Sequence, residues 1–312
     1  MITLHTDIRH IPATAQGCVL VIGNFDGVHL GHRALIEKAK ALAEREKAPL
    51  GVMTFEPHPR RFFQPEAESF RLTMPPMKQR LLENLGVDHL FSLEFDQALS
   101  RIAAAEFIDR ILVQSLRARH IIVGEDFAFG RGREGTAETL RAAKKFGLST
   151  MPPVTAPDGQ VYSSSAVREL LRQGRFAEAE KMLGWPWAME APVIHGDKRG
   201  RTLGFPTANQ DMAGYVGIPH GVYAVRVLIE GETVWHNGAA SFGIRPMFQR
   251  HLPVFETFIF DFSREIYGKM LRVQPVKYLR TELRFKDTEA LVAQMKEDCI
   301  TAKAVLKSSP AL

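Results

Sequence analysis

The chain changes its hydrophobic period once, near residue 185, and this change constrains its fold more than any other feature. Before it, short apolar runs alternate with helical patterns. Residues 18–22, 50–55, 89–93 and 120–123 read as buried strands, and 33–47, 77–85, 103–116, 136–146 and 166–183 as helices. Such alternation predicts an α/β domain with a parallel sheet and crossover helices. After the Gly184-Trp185-Pro186-Trp187 break the period becomes two: 222–229, 233–240, 255–262 and 269–276 read as antiparallel strands between short turn signals. One amphipathic helix, 288–306, closes the chain, so a small β-barrel with a covering helix is the economical architecture. The expectation is two domains, 1–185 and 186–312.

Composition removes several alternatives. With 312 residues, 45% hydrophobic and 24% charged, each half is long enough to bury its own core, and a disordered or fibrous chain is excluded. The formal net charge of +5 is spread thinly, with Arg60-Arg61 and Lys144-Lys145 as isolated basic pairs. That balance favours small anionic ligands over a nucleic-acid stripe, which concentrates its cations. Cys18 and Cys299 stand at opposite ends of the sequence and build neither a disulfide framework nor a cysteine-rich zinc site. The N-terminus has no signal-type apolar core and no 18-residue apolar run occurs, which predicts a cytoplasmic protein without membrane contact. Oligomeric state is left open.

The most informative stretch is Gly23-Asn24-Phe25-Asp26-Gly27-Val28-His29-Leu30-Gly31-His32, which leaves a buried strand and enters a helix. A helix start offers unpaired amide donors and the positive end of the helix dipole, and glycines let a phosphate approach the main chain. His29 and His32 are three apart, so on a helix they share a face and can both donate to phosphate oxygens. Transfer at phosphorus spreads charge over its oxygens, which placed donors stabilise. A tight turn with two solvated histidines is the plain alternative, and a zinc pair would need further ligands at a metal-like spacing. Gly130-Arg131-Gly132-Arg133-Glu134-Gly135 matches the dinucleotide-binding pattern in letters, but five residues separate it from its strand, so a nicotinamide site is rejected.

A second loop, residues 196–209, holds Gly196, Lys198, Gly200, Gly204, Thr207 and Asn209. Amides and Lys198 suit a triphosphate, and the Thr207 hydroxyl and Asn209 amide oxygen suit Mg²⁺. Without context a basic surface turn is the commoner reading. No Walker spacing occurs in the chain. In the strand 255–262, Glu256, Phe258, Phe260 and Phe262 share a face; a carboxylate heading an aromatic face suits general-base work on a hydroxyl, an edge glutamate reaching solvent being the alternative.

These motifs, in this order, resemble the bifunctional prokaryotic riboflavin kinase and FMN adenylyltransferase family, also called FAD synthetases. The first motif resembles the His-x-Gly-His signature of the nucleotidyltransferase superfamily, and Ser163-Ser164-Ser165-Ala166-Val167-Arg168, otherwise a helix cap, resembles its late serine turn. Further marks are Phe55 to Pro59, Val123 to Phe127, Gly243-Ile244-Arg245-Pro246, Asp261-Phe262 and Tyr267-Gly268. The resemblance implies a nucleotidyltransferase-type Rossmann-like first domain that adenylylates FMN to FAD, and a barrel that phosphorylates riboflavin, both with ATP and Mg²⁺. It implies that Gly23, Phe25, Asp26, His29, Gly31, His32, Ser164, Ser165 and Arg168 hold the first ATP, and that Pro57, His58 and Asp126 lie near its flavin. In the kinase, Gly196, Lys198, Gly200, Gly204, Thr207 and Asn209 would hold ATP and its metal. Glu256 would be the base, and Arg280 would lie on the flavin side. After Arg245-Pro246 the family usually has threonine, where this chain has Met247. Rival readings are an adenylyltransferase with a decayed kinase, a flavin carrier without turnover, and a basic nucleic-acid-binding protein, for which no recognition motif is found.

Overall fold

The computed structural model describes residues 1–196, 199–247 and 250–309. The chain divides into two compact units, Met1–Glu68 with Pro75–Ser164 and Ser69–Met74 with Ser165–Leu312. The second therefore takes in residues 165–185, so the packing boundary and the change of period lie at different places.

The first unit is built on six parallel strands: β1 (Thr3–His5), β2 (Val19–Ile22), β3 (Leu50–Glu56), β4 (His89–Glu94), β5 (His120–Gly124) and β8 (Gly147–Met151), in the order β1-β4-β3-β2-β5-β8. Residues 19–22 and 50–54 are buried without alternation, as strands covered on both faces must be. From β2 the sheet grows one way through β3 and β4 and the other way through β5. That reversal makes the carboxyl end of β2 a topological switch point, where ligands of open α/β sheets bind. There the chain turns into α1 (Leu30–Glu46), whose Ile36, Ala39, Leu42 and Ala43 form the buried stripe.

Short helices α2 (Pro59–Phe63), α3 (Pro75–Asn84), α4 (Gln97–Arg101) and α5 (Ala104–Glu106) follow, the last running into a π-wound segment, Phe107–Ser115. Its buried Phe107, Ile108, Ile111 and Leu112 account for the helical pattern expected over 103–116. A two-stranded ribbon, β6 (Ala128–Phe129) and β7 (Gly135–Thr136), leads to α6 (Ala137–Ala143). The glycine-rich stretch between its strands is a staple: Glu134 Oε1 accepts from the Ala104 amide at 2.9 Å, and a Cβ on Gly130 would meet that same nitrogen at 2.9 Å.

In the second unit the expected single helix over 166–183 is two, α7 (Ser164–Arg172) and α8 (Phe176–Leu183), because Gly174 takes a left-handed conformation with φ 71°. A closed antiparallel barrel follows, in the order β10-β13-β12-β11-β14-β9. Its strands are β9 (Met189–Ile194), β10 (Ala208–Asp211), β11 (Gly221–Ile229), β12 (His236–Met247), β13 (Arg250–Ile259) and β14 (Met270–Arg280). A short α9 (Arg199–Thr202) lies between β9 and β10, and α10 (Thr288–Ser308) packs Ala302 and Leu306 against Ala224, Ala239 and Phe260. On β13, Phe255, Thr257 and Ile259 are buried while Glu256 and Phe258 are half-buried, so Glu256 stands on the outer face. The strand ends at Ile259, and Asp261 at φ 54° breaks the alternation, so Phe262 leaves the face expected of it and packs edge-on against His236.

Candidate active sites

His29 is the N-cap of α1: its Nδ1 accepts from the His32 amide at 3.3 Å, which places the proton of a neutral ring on Nε2. The His32 ring stacks on His29 at 3.6 Å between centroids and leans on Phe25 at 4.9 Å. Phe25 (φ 49°), Gly27 (φ 85°) and Val28 (φ 40°) are all left-handed, a costly state for a β-branched residue. Complete burial of Phe25 and near-complete burial of Val28 hold that conformation. Gly31 is closely packed: a Cβ there would lie 3.1 Å from both the His29 ring and the Tyr162 carbonyl, tighter than ordinary van der Waals contact. Likewise a Cβ on Gly23 would press on the Phe25 ring at 3.2 Å.

The serine turn reaches this motif where Ser164 Oγ donates to the carbonyl of buried Asp26 at 2.8 Å. Ser165 is exposed, and Arg168 is buried with its Nε on the Phe70 carbonyl at 2.7 Å and its guanidinium over that ring; both belong to the second unit. On the expected flavin side, His58 is buried and caps α2, its Nδ1 accepting from the Arg60 amide at 3.1 Å, while Pro57 and Asp126 are exposed. Phe62, Phe63 and Phe95 form an edge-to-face cluster beside His58, with Phe63 63% exposed.

Sequence reasoning missed Lys78. Its side chain is 2% exposed, and its ammonium donates to the Asn24 carbonyl at 3.0 Å, to Thr54 Oγ1 at 3.3 Å and to Glu56 Oε1 at 3.0 Å. The available signal was a lysine four residues before Leu82, on the buried stripe of α3.

In the barrel unit, Asn209, Glu256 and Ser241 are cross-strand partners on β10, β13 and β12, so all three share the outer face. Ser241 Oγ donates to Glu256 Oε2 at 3.5 Å. Gly196 lies against the Asn209 carboxamide, where a Cβ would meet Nδ2 at 2.6 Å, so only glycine leaves this amide its place. Gly200 is closed by the Phe205 amide, which donates to its carbonyl at 2.8 Å, and Gly204 turns the loop at φ 83°. Gly196, Gly200, Thr207 and Asn209 line a pocket of about 300 Å³, open mouth included, completed by Arg201, Pro206 and Tyr267. Neither Arg201 nor Tyr267 was singled out as a site residue from sequence. Tyr267 packs on His195 with ring centroids 4.1 Å apart.

Lys198 lies outside the described residues, as does the side chain of Met247. Arg280 ends β14 with a bidentate ion pair to buried Asp298 on α10 at 2.7 and 2.6 Å, supported by Gln294. Among the described residues no group of three or more His, Cys, Asp or Glu forms a metal site. A Mg²⁺ that keeps several waters and is held largely by substrate phosphates needs few protein oxygens and no such group. The Thr207 and Asn209 oxygens, with the amide seated on Gly196, fit that pattern.

Two family models match in succession: FAD synthetase over residues 11–166 and riboflavin kinase over residues 183–306. The bifunctional riboflavin kinase/FMN adenylyltransferase of Escherichia coli K12 is 40% identical over 93% of each chain. That of Bacillus subtilis is 35% identical over 96% of each. A crystal structure described as a macrolide-efflux protein from Streptococcus pneumoniae superposes with a TM-score of 0.83 at 30% identity over 99% of each chain. No helix among the described residues is long and apolar enough to cross a membrane. This chain belongs to the family of bifunctional riboflavin kinase/FMN adenylyltransferases.

Proposed function

We propose that residues 186–312 phosphorylate riboflavin to FMN and that residues 1–185 adenylylate FMN to FAD, each reaction consuming one ATP. The observation that carries the reading is the presence, in one chain, of a two-histidine turn at a helix start, with His29 buried and His32 half-buried, and of an Asn209–Glu256–Ser241 row beside a glycine-walled pocket.

In the adenylyl transfer a phosphate oxygen of FMN attacks the α phosphorus of ATP, and the bond to the bridging oxygen toward the β phosphorus breaks, releasing pyrophosphate. His29 and His32 donate to oxygens that gain charge in the transition state, and the α1 amides and dipole add to that field. Ser164, held on the Asp26 carbonyl, takes a further phosphate oxygen. Pro57, His58 and Asp126, with the neighbouring phenylalanines, form the flavin side.

In the kinase the riboflavin 5′-hydroxyl attacks the γ phosphorus, its proton passes to Glu256, and ADP leaves. Ser241 orients the carboxylate. Thr207 and Asn209 would hold Mg²⁺, which neutralises phosphate charge when bound. Arg280, pinned by Asp298, supports the flavin-side wall. A cytoplasmic location belongs to the same reading, since Cys18 and Cys299 are free thiols.

The test is a time course of purified protein with riboflavin, ATP and Mg²⁺, the flavins separated by chromatography. FMN is expected first and FAD after it. A folded protein that forms neither refutes the reading.

A further inference from the structure

We propose that Lys78 is a positioning residue for adenylyl transfer: its buried ammonium locks the nucleotide-side turn and the flavin-side strand end in one geometry. The inference deepens the reading of the first site given above and rests on it.

Lys78 is on α3, outside every motif discussed so far. An unpaired ammonium at this depth would carry a large desolvation cost, so its position is defined by the groups that receive it. Those groups come from two segments. The Asn24 carbonyl belongs to the turn that carries His29 and His32; Thr54 and Glu56 end β3, and Glu56 directly precedes Pro57 and His58. Thr54 Oγ1 also donates to the Asn24 carbonyl at 3.2 Å, so this one oxygen takes two donors. The carbonyl of Asn24 is thereby held immediately before the four-residue stretch 25–28, in which Phe25, Gly27 and Val28 take left-handed conformations.

A backbone that departs this far from ordinary conformations holds its shape only when the surroundings over-determine it. Phe25 and Val28 supply apolar anchoring from one side. Lys78 supplies the polar anchoring, and does so with the same nitrogen that fixes the end of β3. Misplacing reacting groups by about 1 Å costs on the order of 10²-fold in rate. Loss of Lys78 therefore acts on turnover through the turn, without any contact of its own with substrate.

The experiment compares full-length wild type, Lys78→Met and Glu56→Gln for three readouts: adenylylation with ATP and FMN varied separately, riboflavin phosphorylation, and thermal melting. Lys78→Met keeps an unbranched side chain only one atom shorter and removes its charge and donors. The expected result is a fall of about 10- to 100-fold in adenylylation kcat, with KM values changed far less, in protein that still phosphorylates riboflavin at the wild-type rate. A lysine that only stabilises the fold would lower the melting midpoint and leave kcat of the folded protein intact, and that result overturns the proposal. If Lys78→Met does not fold, Glu56→Gln decides: it keeps an acceptor for the ammonium while removing the counter-charge, and a several-fold loss of adenylylation kcat supports the proposal where an unchanged kcat overturns it. Wild-type turnover separates the two levels of inference. No FAD from FMN in wild type sinks the reading of the site, whereas normal wild-type turnover with an unaffected variant sinks only the role of Lys78.

Discussion

The two proposed phosphate-handling sites of this chain are built in opposite ways. In the parallel-sheet unit the proposed site reaches into the core: Asp26, His29 and Lys78 are all less than a tenth exposed, and the turn that carries Asp26 and His29 is strained and tied by Lys78 to the end of β3. In the barrel unit the interior is filled by Tyr223, Phe242 and Phe255, and the chemistry sits outside it, on a row of side chains crossing three strands and a loop that folds over them. A site at a sheet's switch point is inherited from the topology. A site on a barrel's outer face must be assembled from a loop, and glycines such as Gly196 mark where that loop lies against the strand.

That contrast is broken or sharpened most forcefully at Glu256. Glu256→Gln keeps shape and hydrogen bonding but removes the base, so riboflavin phosphorylation is expected to fall by about 10² to 10⁴-fold while adenylylation of supplied FMN persists. Steady-state rates of both reactions on one preparation check it, and near-normal FMN production contradicts the assignment. The mirror experiment is His32→Ala, where a donor to developing charge is lost from the buried site alone. Adenylylation is expected to drop by about 10²-fold or more with phosphorylation intact. Equal loss of both would show that the substitution damages the fold.

A smaller effect probes the barrel unit's stability. Burial pushes the Glu180 carboxyl above its ordinary value of 4.5, partly offset by the Gln274 amide, which donates to it at 2.9 Å, and by Arg226. The folded state thus holds this proton more tightly than the unfolded chain, so the contribution of Glu180 is most favourable below that ordinary value and declines as pH rises through the folded-state value. Glu180→Gln cannot ionise and keeps the acceptor. Its melting midpoint relative to wild type is expected to rise between pH 4.5 and neutrality; an offset that does not change with pH would contradict the sign.

Much of this was legible in the sequence, for reasons that differ between the units. Apolar runs such as residues 19–22 and the period-two pattern of 222–229 revealed sheet and barrel because burial on two faces or one leaves a direct mark. Short strands left no such mark: β1, β8, β9 and β10 have three to six residues, and their places depend on partners far along the chain. The split of α7 from α8 turned on one glycine, which tertiary packing rather than periodicity put to use. At the proposed sites, the turn 23–32, the loop 196–209 and the alternation of 255–262 pointed to His29, Asn209 and Glu256, and the family resemblance to Ser164. Lys78 was not readable, since its role comes from three acceptors at 22 to 54 residues' separation.

The central claim is that one chain carries two independent active sites acting in sequence on a flavin, and mixing tests it directly. His32→Ala and Glu256→Gln are each incubated with riboflavin, ATP and Mg²⁺, alone and together, and the flavins are separated over time. His32→Ala is expected to stop at FMN and Glu256→Gln to leave riboflavin essentially unconverted, while the mixture makes FAD. A mixture that yields no FAD, although each folded variant keeps its remaining reaction, would contradict the account.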